Sequence, residues 1–114
     1  MRKLTEDTLA AIGRMTVAAT DLEFVLAKLA GDAELFVRPG DGLRAARLAE
    51  VPSDTRKWIE AAATQLLQGQ AALRVMWRDA GRTDAAMFDE ITARLVYCRA
   101  ALAGNSVAAQ GLQA

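Results

Sequence analysis

The sequence predicts an all-α fold, an antiparallel helical bundle of three long helices with one or two short helices between them. Apolar residues recur at alternating spacings of three and four along three long stretches, as in helices packed lengthwise. No stretch shows the period-two alternation of a half-buried strand. With 114 residues and zero net charge, we predict one domain over residues 1–104. Residues 105–114 carry no charge and are expected to fray.

The first long helix is expected near residues 5–30. Thr5 can cap its start, and Gly31 can end it in a left-handed conformation. Val17 and Phe24 lie seven residues apart on the side opposite the inward seam. A helix with two apolar stripes is either central in its bundle or shared with another chain. The inward seam comprises Ile12, Met15, Ala19, Leu22, Leu26 and Leu29.

Short elements are expected next. The segment "DAELFV" predicts a short helix capped by Asp32, and "RPGDG" predicts a loop. A second short helix is expected over residues 43–50, where Pro52 stops it.

Two further long helices complete the predicted bundle. Ser53 is expected to cap the second, over residues 54–80, and Gly81 to close it. Thr83 and Asp84 open the third, which ends at Gly104. The seam of the second comprises Ile59, Ala62, Leu66, Gly69, Leu73, Met76 and Ala80. The seam of the third comprises Phe88, Ile91, Leu95, Cys98 and Leu102.

The stretch "ALRVMWRDAGR" concentrates basic and aromatic residues at the end of the second long helix. In one interpretation Trp77 widens the core and the arginines are solvated near a helix C-terminus, where cations are favoured. In the other, Arg74, Arg78 and Arg82 form a strip for phosphate and Trp77 stacks on a base. Arg94 and Arg99 could extend that strip. The balanced net charge favours the first interpretation.

The sequence predicts no catalytic residues, no metal and no cofactor. It contains no histidine, so neither a Ser/His or Cys/His nucleophile nor a Glu-x-x-His di-iron site can be built. The acidic pairs, such as Asp21 and Glu23, are expected at helix starts or on outer faces, where capping and solvation explain them. The "RPGDG" cluster lacks the lysine of a phosphate loop.

A cytoplasmic protein without a membrane span is expected. Cys98 is the single cysteine, which excludes an intramolecular disulfide, and its seam position predicts a core residue rather than a reactive thiol. Glu6 and Asp7 interrupt the place where the apolar part of an export signal would begin. The most apolar region, residues 9–30, carries too many charges to span a membrane.

One family resemblance concerns "IGRMTVAATDLEFVLAKLAGD", followed by a short-helix connection and by "LRVMW" late in the next long helix. This pattern resembles small bacterial HEPN-type helical proteins, in which a first helix with a Leu-Glu pair, here Leu22 and Glu23, packs beside a helix bearing an Arg-x4-6-His ribonuclease motif. Arg74 could correspond to the motif arginine, but the histidine is missing. The resemblance therefore implies a non-catalytic member, and such members commonly dimerise and act as binding or antitoxin-like partners.

Two classes of function follow. The first is a non-catalytic protein-interaction module that forms a homodimer and binds another protein, as small bacterial or phage accessory proteins do. One layer of three helices cannot cover all the apolar faces, and the candidate interface residues are Val17, Phe24, Trp58 and Trp77. The alternative is an RNA- or DNA-binding protein that uses Arg74, Trp77, Arg78 and Arg82.

Overall fold

The computed structural model describes residues 4–79 and 84–113, with residues 105–113 as backbone only. Helix α1 spans Glu6–Leu29, a 3-10 turn spans Ala33–Leu35, α2 spans Asp41–Leu48, α3 spans Ser53–Arg78 and α4 spans Ala85–Gln113. Every regular element in this described part is helical and none is a strand. The prediction of an all-α fold is therefore confirmed.

The two ends of α1 are built as the sequence predicts. Thr5 has an extended backbone, and its hydroxyl accepts a hydrogen bond from the Thr8 amide at 3.1 Å. Gly31 has a φ of +136°, which an L side chain rarely adopts, and its amide donates to the Lys28 carbonyl. The predicted cap and the predicted terminating glycine are both confirmed.

Other helix boundaries differ from the prediction. Pro52, not Ser53, occupies the N-cap of α3, and its carbonyl accepts from the Arg56 amide, so α3 starts without a side-chain cap. Helix α3 ends at Arg78, and the predicted boundary residues Ala80, Gly81 and Thr83 lie outside the described residues. Asp84 caps α4 by accepting from the Met87 amide at 3.0 Å.

The C-terminal helix is longer than the sequence suggested. We expected the third long helix to end at Gly104, but α4 continues to Gln113. A glycine inside a helix costs only about 1 kcal/mol relative to alanine, which the flanking alanines can offset. Gly104 alone is therefore a weak stop signal.

The predicted core face of α4 is confirmed completely, whereas that of α1 is rotated. The α4 seam residues Phe88, Ile91, Leu95, Cys98 and Leu102 are all buried. On α1, Met15, Leu22 and Leu26 are buried, but Ile12 and Leu29 are only half-buried. Ala11 and Ala18 are buried in their place, because α1 packs chiefly on α4 and places these small residues in the contact.

The long helices meet at Gly69 of α3. A Cβ atom at this position would lie 3.4 Å from Sδ of Met15 and 3.8 Å from Cγ2 of Ile91. Helix α3 packs mainly on α4 and has little direct contact with α1. The predicted α3 seam is buried at Ile59, Ala62, Gly69 and Met76, while Leu66 and Leu73 are half-buried and border the gap towards α1.

Helix α2 is held at its N-terminus by Glu23 of α1. The Glu23 carboxylate accepts hydrogen bonds from the Gly40 amide at 2.7 Å and the Leu43 amide at 3.3 Å, and the residue is buried. A carboxylate at a helix N-terminus is favoured by the helix dipole. The expectation that Glu23 lies on an outer, solvated face is wrong, because α2 folds back over it. The same fold-back starts α2 at Asp41, two residues earlier than expected.

The C-terminus of α2 is held by Arg56 of α3. Its guanidinium donates to the carbonyls of Arg47 and Ala49, at the end of the helix where a cation is favoured. Arg47 also forms a two-bond ion pair with Glu60. The short helix is thus fastened to both of the long helices that flank it in sequence.

Candidate functional site

The surface of α1 that faces away from the core carries an uncharged row of five residues. Their spacings alternate three and four, and we name this row the outer seam: Ala10, Gly13, Val17, Thr20 and Phe24. All five are exposed; Val17 is 62% and Phe24 45% exposed. Two of the predicted interface residues therefore share one face of α1. Ala10, Gly13 and Thr20 were not predicted, although their spacing of three and four from Val17 and Phe24 indicates the same helix face.

Phe24 is fixed at the C-terminal end of the outer seam. Its ring meets that of Phe36, which follows the 3-10 turn, edge-on with centroids 4.7 Å apart. Such contacts restrict the ring at little cost in side-chain entropy on binding. Phe24 is thus a preorganised apolar anchor on an otherwise small-residue surface.

The outer seam is flanked by charges on one side. Arg14 donates through Nε and Nη2 to both oxygens of Asp89 on α4, at 3.0 and 3.1 Å. This pairing raises the pKa of the Arg14 guanidinium through the hydrogen bond to Asp89. Asp21 and Lys28 follow on the same side of the helix and are exposed.

The other two predicted interface residues lie elsewhere. Trp58 is half-buried on α3 and packs against Tyr97 of α4, with ring centroids 5.5 Å apart. Trp77 lies near the C-terminus of α3 and is 68% exposed, so it does not widen the core. The structure therefore joins Val17 and Phe24 in one row but places both tryptophans on α3.

Arg74 and Arg78 lie one turn apart near the end of α3, and both are exposed beside Trp77. Together with Leu73 and Met76 these three residues line a shallow depression. Arg82 lies outside the described residues. Arg94, which could have extended the strip, pairs with Glu90 at 2.6 Å. Five arginines of the described chain, unlike Arg74 and Arg78, donate side-chain hydrogen bonds: Arg14, Arg44, Arg47, Arg56 and Arg94.

A cavity of about 240 Å³ separates α1 from α3. Met15 and Ala19 of α1, Leu66 and Leu73 of α3 and Leu95 of α4 are among the apolar residues that line it. Gln65 also lines it, and its Oε1 is buried without a hydrogen-bond partner. Glu23 borders the cavity as well, but its carboxylate is taken up by the two amides of α2.

No three cysteine, aspartate or glutamate side chains gather closely enough within the described part of the chain to hold a metal ion. Burial raises the pKa of the Cys98 thiol, which keeps it protonated and weakly nucleophilic at neutral pH. None of the helices, as far as the structure describes them, has a stretch both long and apolar enough to span a bilayer.

The outer seam and the basic end of α3, which we define as Arg74, Trp77 and Arg78, are the two exposed surfaces described above. Comparison with known proteins adds no family to this description: the chain matches no protein-family model, no curated protein and no solved structure.

Proposed function

We propose that this protein is a non-catalytic interaction module that forms a homodimer through the outer seam of α1 and binds another protein as a dimer. The observation that carries the proposal is the outer seam itself, an exposed row of five uncharged residues with the preorganised Phe24 at one end. Exposed apolar rows bordered by charges are typical of protein interfaces.

The exposure of the outer seam supports the proposal. Its two largest residues, Val17 and Phe24, are 62% and 45% exposed, and all five residues are uncharged, so a partner that covers the row is expected to present an uncharged surface. A second copy is the simplest partner that can cover it, because a two-fold axis uses the same surface twice.

The proposed scaffold is an antiparallel bundle of three long helices. Support comes from three contacts that link α1, α3 and α4. Arg14, early in α1, pairs with Asp89, early in α4, so these helices start at the same end. Gly69 of α3 lies beside Ile91 of α4, and Trp58, eleven residues earlier, packs on Tyr97, which is later in α4. This order of contacts fits α3 running opposite to α4.

Light scattering on purified protein tests the proposal. We expect the wild type to have twice the mass of 12.2 kDa at micromolar concentration. Phe24→Glu should be monomeric with unchanged helical circular dichroism, because a charge at the anchor would be buried without a partner. Leu67→Glu is the matched control: Leu67 is 61% exposed but lies on α3, away from the outer seam.

Two results would contradict the proposal. A wild type that is monomeric under these conditions would leave the outer seam without its second copy. A dimer that survives Phe24→Glu as well as Leu67→Glu would place the interface on another face.

A second candidate function is binding of RNA or DNA by the basic end of α3. It is favoured by Arg74 and Arg78, which are exposed and make no ion pair with the described residues, unlike Arg14, Arg47 and Arg94. Exposed Trp77 beside them could stack on a base. In this case the protein would be a catalytically inactive HEPN-like member, with Arg74 at the position of the motif arginine.

Salt dependence separates the second candidate from the first. Binding through phosphates should weaken steeply as salt rises, because counterion release drives it. The double variant Arg74→Glu with Arg78→Glu should abolish a gel shift, and a double change at the paired residues Arg47 and Arg94 should have a smaller effect. We expect no salt-sensitive shift with wild-type protein, and finding one would move this candidate ahead of the interaction module.

The proposal includes a cytoplasmic location and the absence of enzymatic activity. Protonated, buried Cys98 suits a reducing compartment. Purified protein should show no nuclease or hydrolase turnover with or without divalent metal. Metal-dependent turnover that is lost on replacing one carboxylate would contradict this part of the proposal.

A further inference from the structure

Charged residues repeat every seven positions along one border of the outer seam. We name this row the charged line: Asp7, Arg14, Asp21 and Lys28. All four are exposed. In a heptad lettered a to g, Ala10, Val17 and Phe24 occupy position a, and Gly13 and Thr20 occupy position d. The charged line then occupies position e of successive heptads. Its charges alternate in sign along the helix.

The alternation distinguishes the two directions in which a second α1 can lie. In a parallel, in-register pair, the charged line faces the g positions of the second copy, Leu9, Thr16 and Glu23. The first two are uncharged and the Glu23 carboxylate is taken up by two amides, so the charged line gains no free partner of opposite sign. In an antiparallel pair, Asp7 can lie beside Lys28 of the second copy and Arg14 beside Asp21 of the second copy. The two-fold axis repeats both pairs, so every charge of the line meets one of opposite sign.

The same register matches large residues with small ones along the outer seam. With Arg14 beside Asp21 of the second copy, Gly13 lies opposite Phe24 and Val17 lies opposite Thr20. A Cβ atom at Gly13 would meet no atom of its own chain within 4 Å, so the space above it is open. The ring of Phe24 from the second copy can therefore pack directly on the α1 backbone.

Arg14 can take part without giving up its contact within the chain. It uses Nε and Nη2 on Asp89 and keeps the Nη1 donors, and its side chain remains 55% exposed. The pair with Asp89 orients the guanidinium at the border of the outer seam. Arg14 is thus held in place before the second copy arrives.

We propose that two copies associate through α1 helices that run antiparallel, with Gly13 opposite Phe24 and Arg14 opposite Asp21, in a register set by the charged line. This inference rests on the proposed homodimer and adds the direction and register of its helices. The alternative register, shifted by one heptad, would bring Arg14 against Arg14 and Asp7 against Asp21, so the charges select between the two.

Charge exchange between two variants tests the register. Arg14→Asp alone places like charges at both Arg14–Asp21 pairs of a homodimer, and Asp21→Arg alone does the same with the opposite sign. Each single variant should dimerise at least about tenfold more weakly than the wild type, which corresponds to about 1.4 kcal/mol. An equimolar mixture should form a heterodimer, because both pairs then join opposite charges. The double variant Arg14→Asp with Asp21→Arg should recover the homodimer.

Native mass spectrometry of the mixture, with one variant isotopically labelled, measures the preference for the heterodimer directly. Asp89→Asn is the control: it removes the negative charge that pairs with Arg14 within the chain but leaves the proposed pair with Asp21 intact, and it should remain dimeric. Circular dichroism establishes that each variant keeps its helices.

The outcomes separate the two proposals. A monomeric wild type would overturn self-association itself. A dimeric wild type whose single variants mix without preference for the heterodimer would overturn the register and leave self-association standing. Preferential heterodimer formation together with recovery in the double variant supports both.

Discussion

Glu23 combines a buried charge with two backbone hydrogen bonds, and its removal should be costly. Glu23→Ala leaves the amides of Gly40 and Leu43 without their acceptor, so we expect the free energy of unfolding to fall by about 2–3 kcal/mol. Glu50→Ala, at an exposed carboxylate outside the outer seam and the charged line, should change it by less than about 0.5 kcal/mol. Urea unfolding followed by circular dichroism measures both. Equal effects would mean that the Glu23 contacts contribute no net stability.

Gln65 presents the opposite case, a buried polar atom without a partner. Its Oε1 has lost water and gained no hydrogen bond. Gln65→Leu keeps a similar volume and removes that atom beside the cavity, so we expect the free energy of unfolding to stay equal or to rise by about 1 kcal/mol. Thermal unfolding measures the change, with exposed Gln70→Leu as the control. A clear loss of stability would indicate a water or another partner on Oε1.

Local sequence patterns do not predict the burial of Glu23 or of the Oε1 atom of Gln65. Thr5, Gly31 and Asp84 act within a few positions of their own chain neighbours, and their capping and terminating roles follow from local rules. Glu23 bonds to amides 17 and 20 residues away, so its burial depends on how α2 folds back. No local pattern distinguishes Glu23 from solvated Asp21 in the same helix.

Helix α2 is short, and contacts with its neighbours replace the stability that its length cannot supply. Arg56 provides the contact at the C-terminal end. Arg56→Met keeps the aliphatic stem and removes the donors, so we expect a loss of about 1–2 kcal/mol. Amide hydrogen exchange should quicken in residues 41–49 more than in α1 or α4. Arg47→Met, which breaks only an exposed ion pair with Glu60, is the control and should have less effect. Uniform quickening in all helices would contradict a local role for Arg56.

The contacts of α2 also predict a response to acid. Hydrogen bonds lower the pKa of Asp41, chiefly from the Arg38 amide, and that of Glu60, chiefly from Arg47. The ordinary pKa values of these two side chains are 3.8 and 4.5, and folding lowers both. The stability that this lowering contributes is fully present at a pH above the ordinary pKa values, and it is lost as the pH falls through the pKa values of the folded state. Exchange in α2 should therefore quicken as pH is lowered below about 4, after correction for intrinsic rates. Asp41→Asn with Glu60→Gln should remove this dependence, and an unchanged pH profile in that variant would contradict it.

The helices themselves differ in how well the sequence predicts their faces. Helix α4 has one apolar row, and all five seam residues are buried as predicted. Helix α1 contacts α4, α2 and the 3-10 turn, so its buried face is wider than one row and includes Ala11, Ala18 and Ala27. Alanine is small enough to occur on either side of a helix surface, and apolar periodicity alone cannot place it.

The helical chain as a whole is elongated, with a radius of gyration of 15.3 Å against about 13 Å for an average compact chain of this length. A chain of this size leaves a large share of its surface exposed on folding, and the outer seam is part of that exposed surface. The sequence indicates such an exposed row on α1, because Val17 and Phe24 form a second apolar stripe there. It does not show which of the four candidate residues share one face, because Trp58 and Trp77 met the same sequence criterion and lie on another helix.

A substitution at Gly13 is expected to change the stability of the monomer and the affinity of the dimer in opposite directions. It lies inside α1, is exposed and has no neighbour within 4 Å, so in a monomer Gly13→Leu should raise helix stability by about 0.8 kcal/mol through propensity alone. In the proposed dimer the added side chain would occupy the space of Phe24 from the second copy, and overpacking of this kind costs about 1–3 kcal/mol. We therefore expect Gly13→Leu to unfold at higher temperature than wild type when dilute but to be monomeric where the wild type is dimeric. Gly104→Leu, at a second exposed helical glycine without neighbours, should remain dimeric. Equilibrium sedimentation measures dimerisation, and thermal unfolding over a range of protein concentrations measures stability. A Gly13→Leu variant that dimerises as tightly as wild type would show that Phe24 packs elsewhere.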